Sequence, residues 1–204
     1  MGWAKHWPDR LGFGLLVKLV PTKTHDVRST TTNITKLKYE HASGGREFLE
    51  TLQLSALLHD VGKIGIRDQI LNKPDRLTVE EFEIMKTHVT IGAAIVKPVQ
   101  GLTHLIDGIL YHHERYDGQG YPHGLKGNDI PIIGRIVNVA DSFDTIMTAR
   151  AYKDASSPEP AFKELVRCKG TQFDPEIIDA FYEAYKAGRI TKRGYTSFDF
   201  SKLH

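Results

Sequence analysis

Apolar residues recur at three- and four-residue intervals along most of this chain, and no stretch alternates apolar with polar for long enough to make a sheet strand. An all-α fold, a helical bundle, is therefore expected. The first well-patterned helix spans roughly Arg46 to Val61, carries Leu52, Ala56, His59 and Asp60 on one face, and stops at Gly62. The second opens at Thr78, which has the spacing of a capping box with Glu81; its stripe runs Phe82, Met85, His88, Val89, Gly92, Ile95 and Val96. A third runs from about Leu102 to Glu114, with Leu102, Leu105, Ile106, Ile109, His112 and His113 on one side. The fourth follows Pro131 and aligns Ile133, Ile136, Val137, Ala140, Asp141 and Asp144. A last amphipathic segment, Asp174 to Ala187, has Pro175 where a first helical turn accepts it. Between the third and fourth helices lies a Gly-rich stretch, Tyr116 to Asn128, too long for a plain connector and so a candidate functional loop.

Composition narrows the class. With 204 residues, 40% hydrophobic and 25% charged, the chain can build one domain with a real core and is not of disordered type. The expected organisation is an N-terminal arm or linker over 1–20, a single domain over 21–190, and a C-terminal tail over 191–204. Lys and Arg total 27 against 25 for Asp and Glu, which argues against a nucleic-acid polymer as partner or a polybasic membrane binder. No apolar run reaches the ~18–20 residues of a membrane span, and Leu11–Val17 is broken by Gly12 and Gly14, so no signal segment is expected. A single cysteine, Cys168, cannot close an internal disulfide, and a reducing, cytoplasmic setting is the expectation.

Histidine, at 10 residues, changes the picture. His59, Asp60, His88, His112, His113 and Asp141 all fall on the apolar stripes of four separate helices. One buried histidine is ordinarily a hydrogen-bonded core residue, and one buried carboxylate a cap or ion-pair partner. Six together would need six separate compensations for their burial, whereas a metal cluster supplies them at once. Structural zinc lacks its thiolates here. Nitrogen and oxygen donors in this number suit two octahedral divalent ions, Fe or Mn first and Ni after them. Asp60 is placed to bridge the pair, which would activate a hydroxide for in-line attack at phosphorus. Lys63, four residues beyond His59, suits a phosphate contact better than a solvated helix end.

These residues resemble a known family. His59-Asp60 followed by Val61-Gly62-Lys63-Ile64-Gly65-Ile66 is similar to the HD metallophosphohydrolase signature, and His112-His113-Glu114-Arg115-Tyr116-Asp117-Gly118-Gln119-Gly120-Tyr121-Pro122 resembles the hallmark of its HD-GYP branch. Asp141-Ser142-Phe143-Asp144, Arg150-Ala151-Tyr152-Lys153 and Phe173-Asp174-Pro175 continue the resemblance in order, so that it covers about residues 22 to 185. It implies a phosphodiesterase that opens cyclic di-GMP to linear pGpG, with further cleavage to GMP left open. By position, His59, Asp60, His88, His112, His113 and Asp141 would be metal ligands, Lys63 would contact the scissile phosphate, and Gly120 and Tyr121 would shape the substrate pocket. Arg150 and Lys153 would hold phosphate oxygens. The same resemblance admits a diguanylate cyclase domain as partner and a sensor or receiver domain upstream. The competing readings are a module that binds a cyclic dinucleotide or a cyclase without turnover, and a phosphodiesterase for another cyclic dinucleotide.

The resemblance also implies an upstream histidine ligand, matched by His25 in His25-Asp26-Val27-Arg28, while the stripe through Val27, Ile34 and Leu37 points instead to His41. Some family members carry a Glu four residues before that histidine, as ligand to a third metal; here the position is Pro21, so two ions are expected. Asp75 stands where a Gly is usual, read as a change on a loop surface, and Ala151 replaces a usual Pro, which should loosen its loop slightly but leaves Arg150 and Lys153 in the sequence.

Overall fold

The computed structural model describes residues 45–150 and 158–187. Eight α-helices occupy them: α1 (Gly45–Leu58), α2 (Asp68–Leu71), α3 (Val79–Lys86), α4 (His88–Val96), α5 (Ile106–Tyr111), α6 (Ile132–Arg150), α7 (Glu159–Arg167) and α8 (Pro175–Lys186). Short 3-10 turns at Val61–Gly65, Thr103–Leu105 and Gly127–Asp129 join them. No strand forms among the described residues, in agreement with the all-α expectation.

The main core joins α1, α6, α7 and α8. Leu52 and Ala56 of α1 meet Ile136, Val137, Ala140 and Phe143 of α6, with Phe162 and Leu165 of α7 and Phe181 of α8 closing the cluster. Phe143, Phe162 and Phe181 pack as a trio with ring centroids 5.0 to 5.2 Å apart, within the range where edge-to-face and tilted pairs are favourable. A second cluster, Ile66, Ile70, Leu71 and Met85, holds the segment after the first 3-10 turn against α3, and a third joins Val96, Leu105 and Ile109. Burial fixes α8 to α6 in polar terms as well: Asp174 caps α8 by accepting from Glu176 N at 2.8 Å and pairs with Arg135 of α6 at 2.6 Å.

The helix boundaries depart from the sequence reading in ways that matter for the site. The first helix ends at Leu58 rather than Val61, and His59 and Asp60 occupy the turn that leads into the 3-10 segment. The long second helix is two. Thr87 breaks it: its hydroxyl donates to Ile84 O at 2.6 Å, a local bond that competes with the helix ladder. Phe82 and Ile95, read as stripe residues, are 42% and 39% exposed, while Met85, His88, Val89, Gly92 and Val96 are buried. The third helix shortens to Ile106–Tyr111, with Thr103–Leu105 as a 3-10 entry and His112 as its C-cap. Two helices were not anticipated. Asp68–Leu71 is a single turn, and Glu159–Arg167 begins through Pro158 and Pro160, where a loop would be read, yet proline suits a first turn and Ala161, Phe162 and Leu165 supply a buried face. The capping box at Thr78 and Glu81 is present in both of its bonds.

Candidate metal centre

Three histidines lie just beyond the last turns of α1, α3 and α5, and each does the same work there. The last carbonyls of a helix lack intrahelical partners. His59 Nδ1 lies 2.7 Å from Ala56 O of α1, His88 Nδ1 2.8 Å from Met85 O of α3, and His112 Nδ1 2.8 Å from Ile109 O of α5. A carbonyl only accepts, so the proton sits on Nδ1 in all three rings and Nε2 is the outward-facing atom. Anchoring one ring nitrogen on a carbonyl is how a ligand histidine is oriented.

Those Nε2 atoms converge. His88 Nε2 and His112 Nε2 are 3.5 Å apart, and with Nδ1 already carrying the proton, two lone pairs face one another. A cation between them relieves that repulsion. Asp60 completes the arrangement by dividing its oxygens: Oδ1 is 3.4 Å from His88 Nε2, and Oδ2 is 3.3 Å from His59 Nε2. Asp141, from α6, brings Oδ1 to 3.6 Å from His59 Nε2. His113 packs against both His88 and His112, with ring centroids at 5.1 and 4.1 Å. The donor atoms fall into two overlapping groups able to hold a metal ion, His88–His112–His113 and His59–Asp60–His112, each within 4.8 Å. The residues present therefore fit a metal centre, and their division into two groups fits more than one ion.

The protonation states of three rings and both carboxyls suit this, while His59, without a metal ion, favours its charged form. Burial first, then neighbouring imidazoles, hold His112 and His113 well below the ordinary histidine value, and burial lowers His88. A lowered value keeps a ring neutral, the form in which Nε2 could serve a metal as a donor. Burial opposes ionisation of Asp60 and Asp141, yet Lys63 and His59 overcome it at Asp60, and His59 does so at Asp141; both carboxyls stay below the usual range. Burial also opposes protonation of His59, but Asp60 and Asp141 outweigh it and raise this ring well above its ordinary value.

Lys63 reaches the same cluster, its Nζ 2.6 Å from Asp60 Oδ2 and its charge retained despite burial because Asp60 and Asp141 face it. The approach of the 3-10 turn to α4 is set by Gly62, where a Cβ would fall 1.9 Å from His88 O. Tyr121 stacks on His113 with centroids 4.9 Å apart at 26°, and burial with the two nearby carboxylates pushes its hydroxyl far above the ordinary value, so it remains a phenol. Gly120 has no room for a side chain, since a Cβ would sit 2.3 Å from Arg115 N and 2.5 Å from Glu114 Cα. That close approach is what brings Tyr121 over His113.

Sequence reasoning gave no role to the residue that holds this loop. Glu114, read as a helix end and as part of the His112–Pro122 motif, is 1% exposed; its two oxygens accept from His123 N at 2.7 Å and Leu125 N at 3.0 Å. Its own carbonyl accepts from Asn138 Nδ2 of α6 at 2.6 Å, one turn before Asp141. The available signal was an acid directly preceding a Gly-rich loop whose backbone N–H groups need acceptors. Glu114→Gln is expected to set an amide N–H against one of those donors, costing about 2 kcal/mol, the scale of a lost charged hydrogen bond. Thermal melting with limited proteolysis between residues 115 and 128 checks this, and unchanged proteolysis would rule it out.

Of the remaining expected site residues, Arg150 closes α6, while His25, His41 and Lys153 lie outside the described residues, as does Pro21. The described candidates His59, Asp60, Lys63, His88, His112, His113, Tyr121 and Asp141 are brought into one cluster, with Gly120 beside Tyr121.

The HD domain family profile matches residues 20–177. The chain belongs to the HD-domain family. It is 50% identical over 143 residues to a cyclic di-GMP phosphodiesterase of Thermotoga maritima, which covers 68% of this chain and 38% of that protein. It is 43% identical over 128 residues to a Vibrio cholerae 3'3'-cGAMP-specific phosphodiesterase, covering 62% of this chain and 24% of the relative. Among solved structures, an HDG"Y"P protein from Bdellovibrio bacteriovorus superposes with a TM-score of 0.58 at 24% identity, over 81% of this chain and 53% of that one, which supports the fold. The HD domain here spans well under half the length of these curated relatives. The HD-GYP resemblance read from the His112–Pro122 segment stands with these findings. No helix among the described residues is long and apolar enough to cross a membrane.

Proposed function

We propose that this chain is a metal-dependent phosphodiesterase that opens cyclic di-GMP to linear pGpG. The carrying observation is Asp60 with its two oxygens turned to different histidines, beside the facing Nε2 atoms of His88 and His112. In this reading His59, Asp60, His88, His112, His113 and Asp141 hold two divalent ions, Fe or Mn ahead of Ni, and His25 adds a ligand from upstream. When bound, such ions supply Lewis acidity and an activated water nucleophile. The chain's own residues do the rest. Asp60 fixes the spacing of the two halves of the site. Lys63 meets a non-bridging oxygen of the scissile phosphate, so that charge developing during attack faces a cation already in position. Tyr121, kept neutral, lines the pocket and is held there by Gly120 and Glu114. Arg150 and Lys153 grip the second phosphate. Water opens one P–O bond, leaving a 5′-phosphate and a 3′-hydroxyl.

The catalytic domain is assigned to residues 21–190, in line with the family match at 20–177. Because the curated relatives are much longer, a sensor or receiver domain upstream and a diguanylate cyclase partner belong to this reading, as does a cytoplasmic setting suited to the single Cys168. A non-catalytic module would be expected to have lost ligands, and all six described candidates are present. A second substrate reading, the mixed cyclic GMP–AMP, is supported by the Vibrio cholerae relative named for that specificity. Anaerobic purification, metal analysis and turnover on both cyclic dinucleotides test the proposal. One zinc per chain with no turnover would overturn it.

The product follows from Pro21. Cleaving pGpG again requires holding an extra terminal phosphate, and a third ion would supply the added positive charge; proline has no side-chain ligand for it. Accumulation of pGpG is expected, with GMP appearing late. A time course by chromatography checks this, and conversion of added pGpG to GMP at the rate of ring opening would contradict it.

A further inference from the structure

We propose that Phe82 and Lys86 of α3, with Tyr121, form a platform for one guanine base of the substrate, and that Lys86 favours guanine over adenine there. This deepens the function proposed above and rests on it. Phe82 has the period of a core residue yet is 42% exposed, on a helix that ends at Lys86 and is separated from α4 by Thr87. Its ring does not go to bulk solvent alone. It meets Tyr121 edge to face at 6.5 Å, and Tyr121 in turn stacks on His113 at 4.9 Å. A continuous aromatic path therefore runs from a candidate metal ligand outward to an exposed ring, which is the direction a nucleotide takes from its phosphate through the sugar to its base.

Lys86 crowns this path. Its Nζ lies 5.2 Å from the Phe82 centroid and 5.7 Å from the Tyr121 centroid, and is kept nearby by Glu83 Oε1 at 2.6 Å. The two ring planes cross at 83°, so a base stacks on the Phe82 face with Tyr121 at its side, and the Lys86 ammonium, which lies over these rings, swings aside to meet the edge of the base. Guanine offers O6 and N7 as two acceptors on one edge, a pattern that lysine reads, whereas adenine offers an amino donor in place of O6. Aromatic faces supply stacking that tolerates any base, so the discrimination falls to Lys86.

Calorimetric titration of the metal-loaded chain with cyclic di-GMP and with cyclic di-AMP tests this. Phe82→Leu keeps an apolar side chain but removes the π-face, and should weaken cyclic di-GMP binding by roughly ten- to hundredfold, the scale of one stacked base. Metal content should be unchanged, and Phe82→Trp should restore binding. Lys86→Met keeps the stem and should shrink the preference for cyclic di-GMP over cyclic di-AMP. Wild-type affinity in Phe82→Leu, failure of Phe82→Trp to restore binding, or an unchanged preference in Lys86→Met would overturn the platform. A wild-type chain that binds cyclic di-GMP without cleaving it refutes the phosphodiesterase reading while these variants still decide the platform; one that does not bind it at all overturns both.

Discussion

Asp60→Ala is expected to lower phosphodiesterase activity about a thousandfold or more, since the metal-derived stabilisation at stake is several kcal/mol and each 1.4 kcal/mol is tenfold. Bound metal should fall with it. The reason lies in how this one carboxylate is shared. Oδ1 faces His88 at 3.4 Å, Oδ2 faces His59 at 3.3 Å, and Oδ2 also pairs with Lys63 at 2.6 Å. No other described candidate reaches both donor groups with oxygen. Alanine removes a negative charge from among four imidazoles and a lysine, so a dication entering the site meets a more positive surround. Asp60→Asn separates shape from charge: it retains the volume and one acceptor oxygen, and should still lose most of the metal. Elemental analysis and turnover on the same preparations check the prediction, with circular dichroism establishing that the variants fold. An Asp60→Ala protein with full metal content and full activity would remove the two-ion reading.

Gly62→Ala is expected to destabilise the protein by about 3 kcal/mol or more, the upper part of the range for overpacking, or a loss of roughly 6–12 °C in Tm for a domain of this size. A Cβ at residue 62 would fall 1.9 Å from His88 O and 2.4 Å from Gly92 N, and these are backbone atoms, which cannot step aside as a side-chain end can. The only relief is to lift the 3-10 turn off α4. That movement carries Asp60 and Lys63 away from His88, so metal affinity should drop together with stability. Thermal melting with and without chelator measures both effects. If the metal-free melting temperature were unchanged, the close approach of turn and helix would not be a feature of the folded protein.

Much of the site was legible along the chain because ionisable residues on apolar stripes are costly. His59, Asp60, His88, His112, His113 and Asp141 stood out for that reason, and the structure gathers the first five into two overlapping groups with Asp141 beside His59. The all-α class was equally legible, since a 3.6-residue period needs only local sequence to be seen. What periodicity could not reveal was where each helix stops. It carried the first helix through Asp60, the second through Thr87 and the third through Glu114, because side-chain spacing does not report a break that depends on hydrogen bonds to carbonyls. The breaks are where the chemistry sits: His59, His88 and His112 each leave a helix end and spend Nδ1 on one of its carbonyls.

By itself, then, the sequence determined the helical class, the identity of the clustered candidate ligands, the Gly-rich loop and, through the order of its motifs, the family. Tertiary structure alone decided three things. It brought the candidate ligands face to face, since the bonds from Nδ1 to a carbonyl three residues back are local but the 3.5 Å approach of His88 Nε2 to His112 Nε2 depends on how separate helices pack. It decided the placement of Tyr121 over His113, which depends on Glu114 accepting two loop N–H groups and on Gly120 folding back against the backbone of Glu114 and Arg115. And it left Phe82 exposed, although its spacing matches the core, on a helix that ends at Lys86 and is separated from α4 by Thr87. Period records which residues share a helix face; only packing between helices determines what that face meets.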